Sequence, residues 1–289
     1  MEGGIKRWRG SPLNIRLANG STVAAVPTLH PAAIAREQKM LPVVVHDLRK
    51  GTTLPPEHYV PHPTLEEVRA FKAEVFAFDI ETDDRGVVCV GLSSQLFHAI
   101  CIPFQGAYKH ELQRIFRDAK VVVGHNCIQF DLPILARNGV TLDADALVWD
   151  TMLMQHLLQP DLPHDLGFLG SIFCQKPAWK HLSGDDLEVY CCRDTDVTFQ
   201  CWTQLQPMLV KEDLADVYKL VSQPLARICQ LMQETGVRVN IANLEEARKR
   251  VKAEMASSEG SLPNAMRTQL VTVRKREKAP TGTLGKSGK

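Results

Sequence analysis

The sequence predicts an α/β fold, in which a three-stranded antiparallel meander runs into an αβ unit and then into helices. Three observations carry this expectation. Short β-rich runs punctuated by turn residues fill 75–104. A stretch with Leu112, Ile115 and Phe116 at helical spacing leads into the apolar run Val121–Gly124. Beyond residue 128 the apolar period is almost entirely helical.

Residues 1–62 are rich in proline and turn signals, with one apolar run at 41–45, and are too short for a full domain. Within 53–64 four prolines remove backbone donors, so this stretch reads as a linker. Strands are expected at 75–80, 87–92, 99–104 and 121–124, with Gly86 and Ser93-Ser94 as hairpin turns. A helix is expected at 110–119. Further helices are expected at 128–137, 150–158, 164–173, 185–209, 211–234 and 243–256, with Gly139, Pro160, Pro163 and Gly236 as stops. Past Ser257 no periodicity survives, and a disordered tail is expected.

The 289 residues are 44% hydrophobic and 23% charged, with 18 Gly and 17 Pro, which excludes collagenous and wholly disordered chains. No apolar run approaches the roughly 18 residues of a membrane span, and the N-terminus lacks the apolar core of a signal peptide. Residence in the cytoplasm, away from membranes, is the resulting expectation. Eight cysteines, at 89, 101, 127, 174, 191, 192, 201 and 229, form no C-x-x-C pair, so neither a zinc site nor a disulfide framework is suggested. The net charge of +1 hides an uneven distribution. Residues 1–70 carry 9 basic and 6 acidic side chains, 71–260 carry 18 and 26, and 261–289 carry 7 and 1. An acidic middle between basic ends fits a metal-binding body with arms for a polyanion or only solvated surfaces and a tail, and composition alone favours the second.

Three carboxylate motifs could carry chemistry. In Phe76-Ala77-Phe78-Asp79-Ile80-Glu81-Thr82 strand alternation sends Asp79 and Glu81 to one face and Phe78 and Ile80 to the core. Such a pair repels unless a divalent cation neutralises it, and hard oxygen donors suit magnesium or manganese. In Gly124-His125-Asn126-Cys127-Ile128-Gln129-Phe130-Asp131 a buried strand ends, and Asp131 falls in the first turn of a helix, where the macrodipole favours a carboxylate. In Tyr190-Cys191-Cys192-Arg193-Asp194 the phenol and carboxylate are four apart on one helix face, so Tyr190 can orient or deprotonate a water. Asp196 faces elsewhere and reads as structural. Each motif alone is also compatible with a solvated acid; their joint occurrence, in order and on suitable elements, is not easily accidental.

Together these motifs resemble the tyrosine-containing branch of the DEDD 3′-5′ exonucleases, whose fold is ribonuclease H-like. The similarity is greatest to the proofreading domain of family A DNA polymerases, phage types especially, and covers about 72–209. Trp149-Asp150-Thr151-Met152, His164-Asp165-Leu166 and Trp179-Lys180-His181-Leu182 echo the helical region between the family's second and third motifs. The resemblance implies a mixed sheet of three antiparallel strands plus parallel strands, flanked by helices. It also implies two divalent cations, Mg2+ or Mn2+: Asp79, Glu81 and Asp194 hold one, and Asp79 bridges to a second that Asp131 supports. Tyr190 then positions the attacking water, and Thr82 and Asn126 touch the 3′-terminal nucleotide. The implied substrate is a single-stranded or frayed DNA 3′ end. A ribonuclease D-like exoribonuclease shares the catalytic set, and an inactive nucleic-acid-binding fragment is a third expectation.

Residues 225–240 resemble the helix that joins exonuclease to polymerase in family A polymerases, although the stretch after residue 240 leaves no room for the palm and fingers, so this chain is not expected to polymerise. A polymerase domain or chain is an implied partner. Upstream, Ile5-Lys6-Arg7-Trp8-Arg9-Gly10, the stretch around His30-Pro31 and Val43-Val44-Val45-His46-Asp47-Leu48 resemble the C-terminal end of a uracil-DNA glycosylase. The earlier motifs of that family are absent, so glycosylase activity is not expected. The expected organisation is a glycosylase-like remnant plus linker at 1–62, an exonuclease domain at 63–210, the helical start of a polymerase-like domain at 211–257 and a basic tail at 258–289.

Overall fold

The computed structural model describes residues 4–184 and 186–262. The chain divides into two compact units, 1–231 and 232–289. In the first, a short helix α1 (Ile5–Trp8) precedes the hairpin β1 (Leu13–Arg16) and β2 (Thr22–Ala25), then α2 (Pro31–Arg36) and α3 (Leu41–Arg49). The His30-Pro31 pair has a local use here. The His30 ring nitrogen accepts from the Ala32 amide at 3.1 Å, and Pro31 occupies the first turn, where its missing N–H costs nothing.

The central sheet has the order β3-β6-β5-β4-β7-β8. Its strands are β3 (His58–Val60), β4 (Val75–Asp83), β5 (Gly86–Gln95), β6 (His98–Pro103), β7 (Val121–Gly124) and β8 (Leu147–Asp150). β4, β5 and β6 form the expected antiparallel meander, while β7 and β8 add in parallel beyond β4, so the mixed ribonuclease H-like sheet is present. Two expectations need correction. The proline-rich stretch 53–64 is not wholly a linker, because His58–Val60 pairs in parallel with His98–Ile100 at the sheet edge, where the flanking prolines are tolerated. The region after 128, expected to be almost entirely helical, also holds a strand, and the helix expected from 150 begins at Thr151. Leu147–Asp150 is a strand of only four residues, and it has no alternating pattern because Val148 and Trp149 are both buried, one on each side of the sheet.

One face of the sheet buries Phe76, Phe78, Ile80, Val90, Leu92, Ile100 and Ile102 against α5 (Gly106–Asp118), following α4 (Leu65–Ala70), which a Thr64–Glu67 capping box opens. The other face carries Ala77, Val123 and Trp149. These pack against α7 (Thr151–Leu158), α8 (Leu166–Phe173) and the 25-residue α9 (Leu187–Lys211), which come after α6 (Asp131–Arg137) in the chain. Gly91 lets α9 lie close. A Cβ there would stand 2.9 Å from the Cys191 sulfur and 3.1 Å from the Cys191 carbonyl, with the Thr195 hydroxyl nearer still. Asp196 fixes the far side of the contact, as the sequence reading suggests. It accepts from the Tyr59 hydroxyl, the Phe97 amide, Lys176 and Gln200, tying β3 and the β5–β6 turn to α9.

Of residues 1–62, the described segment from 9 to 50 is packed into the first unit. Arg9 meets buried Asp47 at 2.8 Å and also contacts the Ser171 hydroxyl, while Lys50 donates to the Ser171 carbonyl. The helix expected over 211–234 is broken: α10 (Ala215–Val217) and a π-turn at Tyr218–Ser222 precede α11 (Gln223–Thr235). The turn brings the buried Tyr218 hydroxyl 2.6 Å from the Asp150 amide, stacked on Trp149. In the second unit α12 (Ile241–Ser261) starts at an Asn240 cap and runs five residues past the expected end at 256. Most of the tail expected at 258–289 lies outside the described residues.

Candidate active site

Alternation along β4 works as the sequence suggests. Phe78 and Ile80 enter the core, while Asp79 and Glu81 leave on the opposite face at 8% and 7% exposure. Their carboxylate oxygens lie with the Cys191 sulfur within 4.8 Å of one another. Asp131 is the first residue of α6 and is 3% exposed. One of its oxygens accepts from the Ile80 amide at 3.1 Å, which docks α6 between the two β4 acids. The preceding loop is shaped by Asn126 in the left-handed region at φ 57°, and its N–H donates to Asp150 at 2.9 Å. Asp150 also accepts from the Ile128 and Met152 amides, so a single buried acid holds the second motif and caps α7. Thr82 sits beyond a bulge after Glu81, exposed at the rim. His125 is engaged by the Thr151 hydroxyl at 2.9 Å.

The third motif lies on α9 with Tyr190 and Asp194 one turn apart. Asp194 is 2% exposed and accepts from the Trp179 indole at 2.5 Å and from the Lys180 ammonium at 2.6 Å. The same ammonium donates to the Tyr190 hydroxyl at 3.1 Å. Lys180 is the site residue that motif reading passes over: Trp179 and Lys180 stand in the sequence only as part of a helical echo, ten and more residues from the acids they bind. Burial disfavours the Lys180 charge, but Asp194, Tyr190 and Asp79 outweigh it and hold the ammonium above its ordinary value. Burial, and then the Asp194 charge, pushes the Tyr190 phenol up to about 12 against the opposing pull of Lys180.

Four buried carboxylates on three elements are costly unless cations compensate them. Hard oxygen donors of this kind fit magnesium or manganese, and Asp79 and Glu81 bring carboxylate oxygens within 4.8 Å of each other. A cavity of about 490 Å³ lies alongside, lined by Arg9, Ser11, Leu29, Phe168, Trp179 and Lys180 among others, and by none of the four carboxylates.

A 3′-5′ exonuclease family model matches residues 63–210. DNA polymerase I of Treponema pallidum (strain Nichols) is 25% identical over 144 residues, 45% of this chain and 14% of the relative. DNA polymerase I of Synechocystis sp. is 28% identical over 132 residues, 40% of this chain and 13% of the relative. The chain thus matches only a small part of the length of these curated relatives. Among solved structures, Brucella melitensis NrnC is 18% identical, with a TM-score of 0.46 over 63% of this chain and 96% of that one. The catalytic core of RRP6 from Trypanosoma brucei is 18% identical, with a TM-score of 0.46 over 80% and 70%.

Proposed function

Because the chain belongs to the 3′-5′ exonuclease family, we propose that it hydrolyses the terminal phosphodiester at the 3′ end of DNA, as a proofreading-type nuclease supported by Mg2+ or Mn2+. The observation that carries this reading is how the acids are linked: an Asp131 oxygen accepts from the Ile80 amide between Asp79 and Glu81, and Lys180, bonded to Asp194 and Tyr190, also feels the Asp79 charge.

Asp79, Glu81 and Asp194 would hold one cation, and Asp79 with Asp131 would support a second. When bound, two divalent cations stabilise the attacking and leaving oxygens of an in-line displacement. The chain's own groups do the rest. Tyr190 orients the attacking water through its hydroxyl, which the Lys180 ammonium contacts at 3.1 Å. Trp179 and Lys180 fix the Asp194 carboxylate, and Lys180 also fixes the Tyr190 oxygen. Thr82 and Asn126, at the rim and in the loop before α6, contact the terminal nucleotide. Similarity to DNA polymerase I supports DNA as substrate and a polymerase domain or chain as partner.

A 5′-labelled single strand tests direction and sugar together. With magnesium, the DNA strand should shorten stepwise from its 3′ end, faster than RNA of the same sequence. Faster loss of RNA would favour the ribonuclease D-like alternative, and salt-sensitive binding with no shortening of either would favour an inactive binding fragment.

A further inference from the structure

Register places a second donor set beside the carboxylates. Asp79 pairs with Gly91 and Gly91 with Cys101, while Glu81 pairs with Cys89, so the two acids and two thiols share one face of β4, β5 and β6. Gly91, lacking a side chain, lets α9 lower Cys191 onto this row. The sulfurs of Cys89, Cys101 and Cys191 lie within 4.8 Å of one another, all buried at 2% exposure or less. Around a tetrahedral zinc with Zn–S bonds of about 2.3 Å, sulfurs stand roughly 3.8 Å apart, so little movement would close the set. Cys191 also belongs to the trio with Asp79 and Glu81, which supplies a carboxylate for the fourth position.

We propose that Cys89, Cys101 and Cys191 form a binding site for a thiophilic divalent cation such as zinc, completed by Asp79 or Glu81. Binding forms three metal–sulfur bonds and releases three thiol protons to solvent. Two features support it. The β4 acids retain slight solvent exposure, so the cation enters through the carboxylate cleft and its charge is attracted there. Softness then separates the sites: thiolates select zinc or cadmium, and the oxygen set selects magnesium or manganese. A carboxylate drawn to the thiolate-bound ion is lost to the oxygen set, so zinc inhibits the nuclease. That last consequence rests on the metal-dependent reading above; the binding itself does not.

Titrating the reduced, metal-free full chain with Cd2+ alone tests the site. One equivalent should raise the ultraviolet thiolate-to-cadmium absorbance, and X-ray absorption should give a shell of three sulfurs. Cys101→Ser and Cys89→Ser should each lose the band, with circular dichroism confirming that they fold. A first shell of oxygen alone in the unaltered chain overturns the proposal. So does a band that survives both changes, as it would if cadmium took the Cys174–Cys201 pair, whose sulfurs are 3.8 Å apart. If neither variant folds, the sulfur count from the unaltered chain still decides. In magnesium-supported assays zinc should inhibit the unaltered chain and spare Cys101→Ser. Equal inhibition of both overturns the coupling, whereas absence of any nuclease activity would refute the earlier functional reading and leave the cadmium result standing.

Discussion

Gly91→Ala perturbs the site without touching any group that reacts. A Cβ at 91 would lie 2.9 Å from the Cys191 sulfur and 3.1 Å from the Cys191 carbonyl oxygen. Rotating Thr195 relieves only one contact and breaks its 2.7 Å hydrogen bond to that same carbonyl. The α9 backbone must therefore lift from β5 by a few tenths of an ångström to bring these contacts to ordinary van der Waals distance. Overpacking of this kind costs about 1–3 kcal/mol, and a domain of this size loses about 2–4 °C in Tm per kcal/mol. The catalytic effect should accompany it. Lifting α9 separates Tyr190 and Asp194 from Asp79 and Glu81, and because about 1 Å of misplacement in such a constellation costs about 100-fold, a shift of this size should slow turnover roughly 3- to 10-fold. Thermal melting followed by single-turnover release of a 3′-terminal label reads both quantities. Gly184→Ala is the control, since nothing lies within 4 Å of its Cβ position. Native melting and native turnover in Gly91→Ala would refute the claim that close approach of α9 assembles the site.

Other perturbations separate the roles of the surrounding groups. Lys180→Met leaves buried Asp194 without its ammonium; because the Lys180 side chain is 40% exposed, the loss in chelator should be near 1 kcal/mol rather than the 3–5 kcal/mol of a fully buried pair, and magnesium should narrow it, as read by melting with and without metal. Tyr190→Phe should slow turnover by roughly 100-fold or more while leaving the number of Mn2+ ions bound unchanged, measured by equilibrium dialysis. Arg9→Met removes the ion-pair partner of Asp47, which is 1% exposed, and should cost about 3–5 kcal/mol in urea unfolding. Replacing both partners should recover part of that loss in a double-mutant cycle.

The parts of this molecule that could be read from its sequence are those governed by local period. Alternation in Phe76–Glu81 assigns faces to Asp79 and Glu81, and four-residue spacing puts Tyr190 beside Asp194; both relations hold in the structure. What escaped depends on pairing between distant segments. β3 and β8 are three and four residues long, and only their partners β6 and β7 make them strands. Cys89, Cys101 and Cys191 have no suggestive spacing, because strand register and a glycine bring them together. Lys180 looks like a helix-flanking cation until the fold turns it onto Asp194 and Tyr190. His30-Pro31 also has a local use that the sequence reading does not state, as the cap and first turn of α2.

Release of a 3′-terminal label from single-stranded DNA by the full chain, beside Asp79→Ala and Asp194→Ala, tests the central claim most directly. The unaltered chain should release mononucleotide with magnesium and none in chelator, and each substitution should abolish release while the protein remains folded. Release that persists in chelator, or that survives both substitutions, would contradict the assignment of these carboxylates as the catalytic centre.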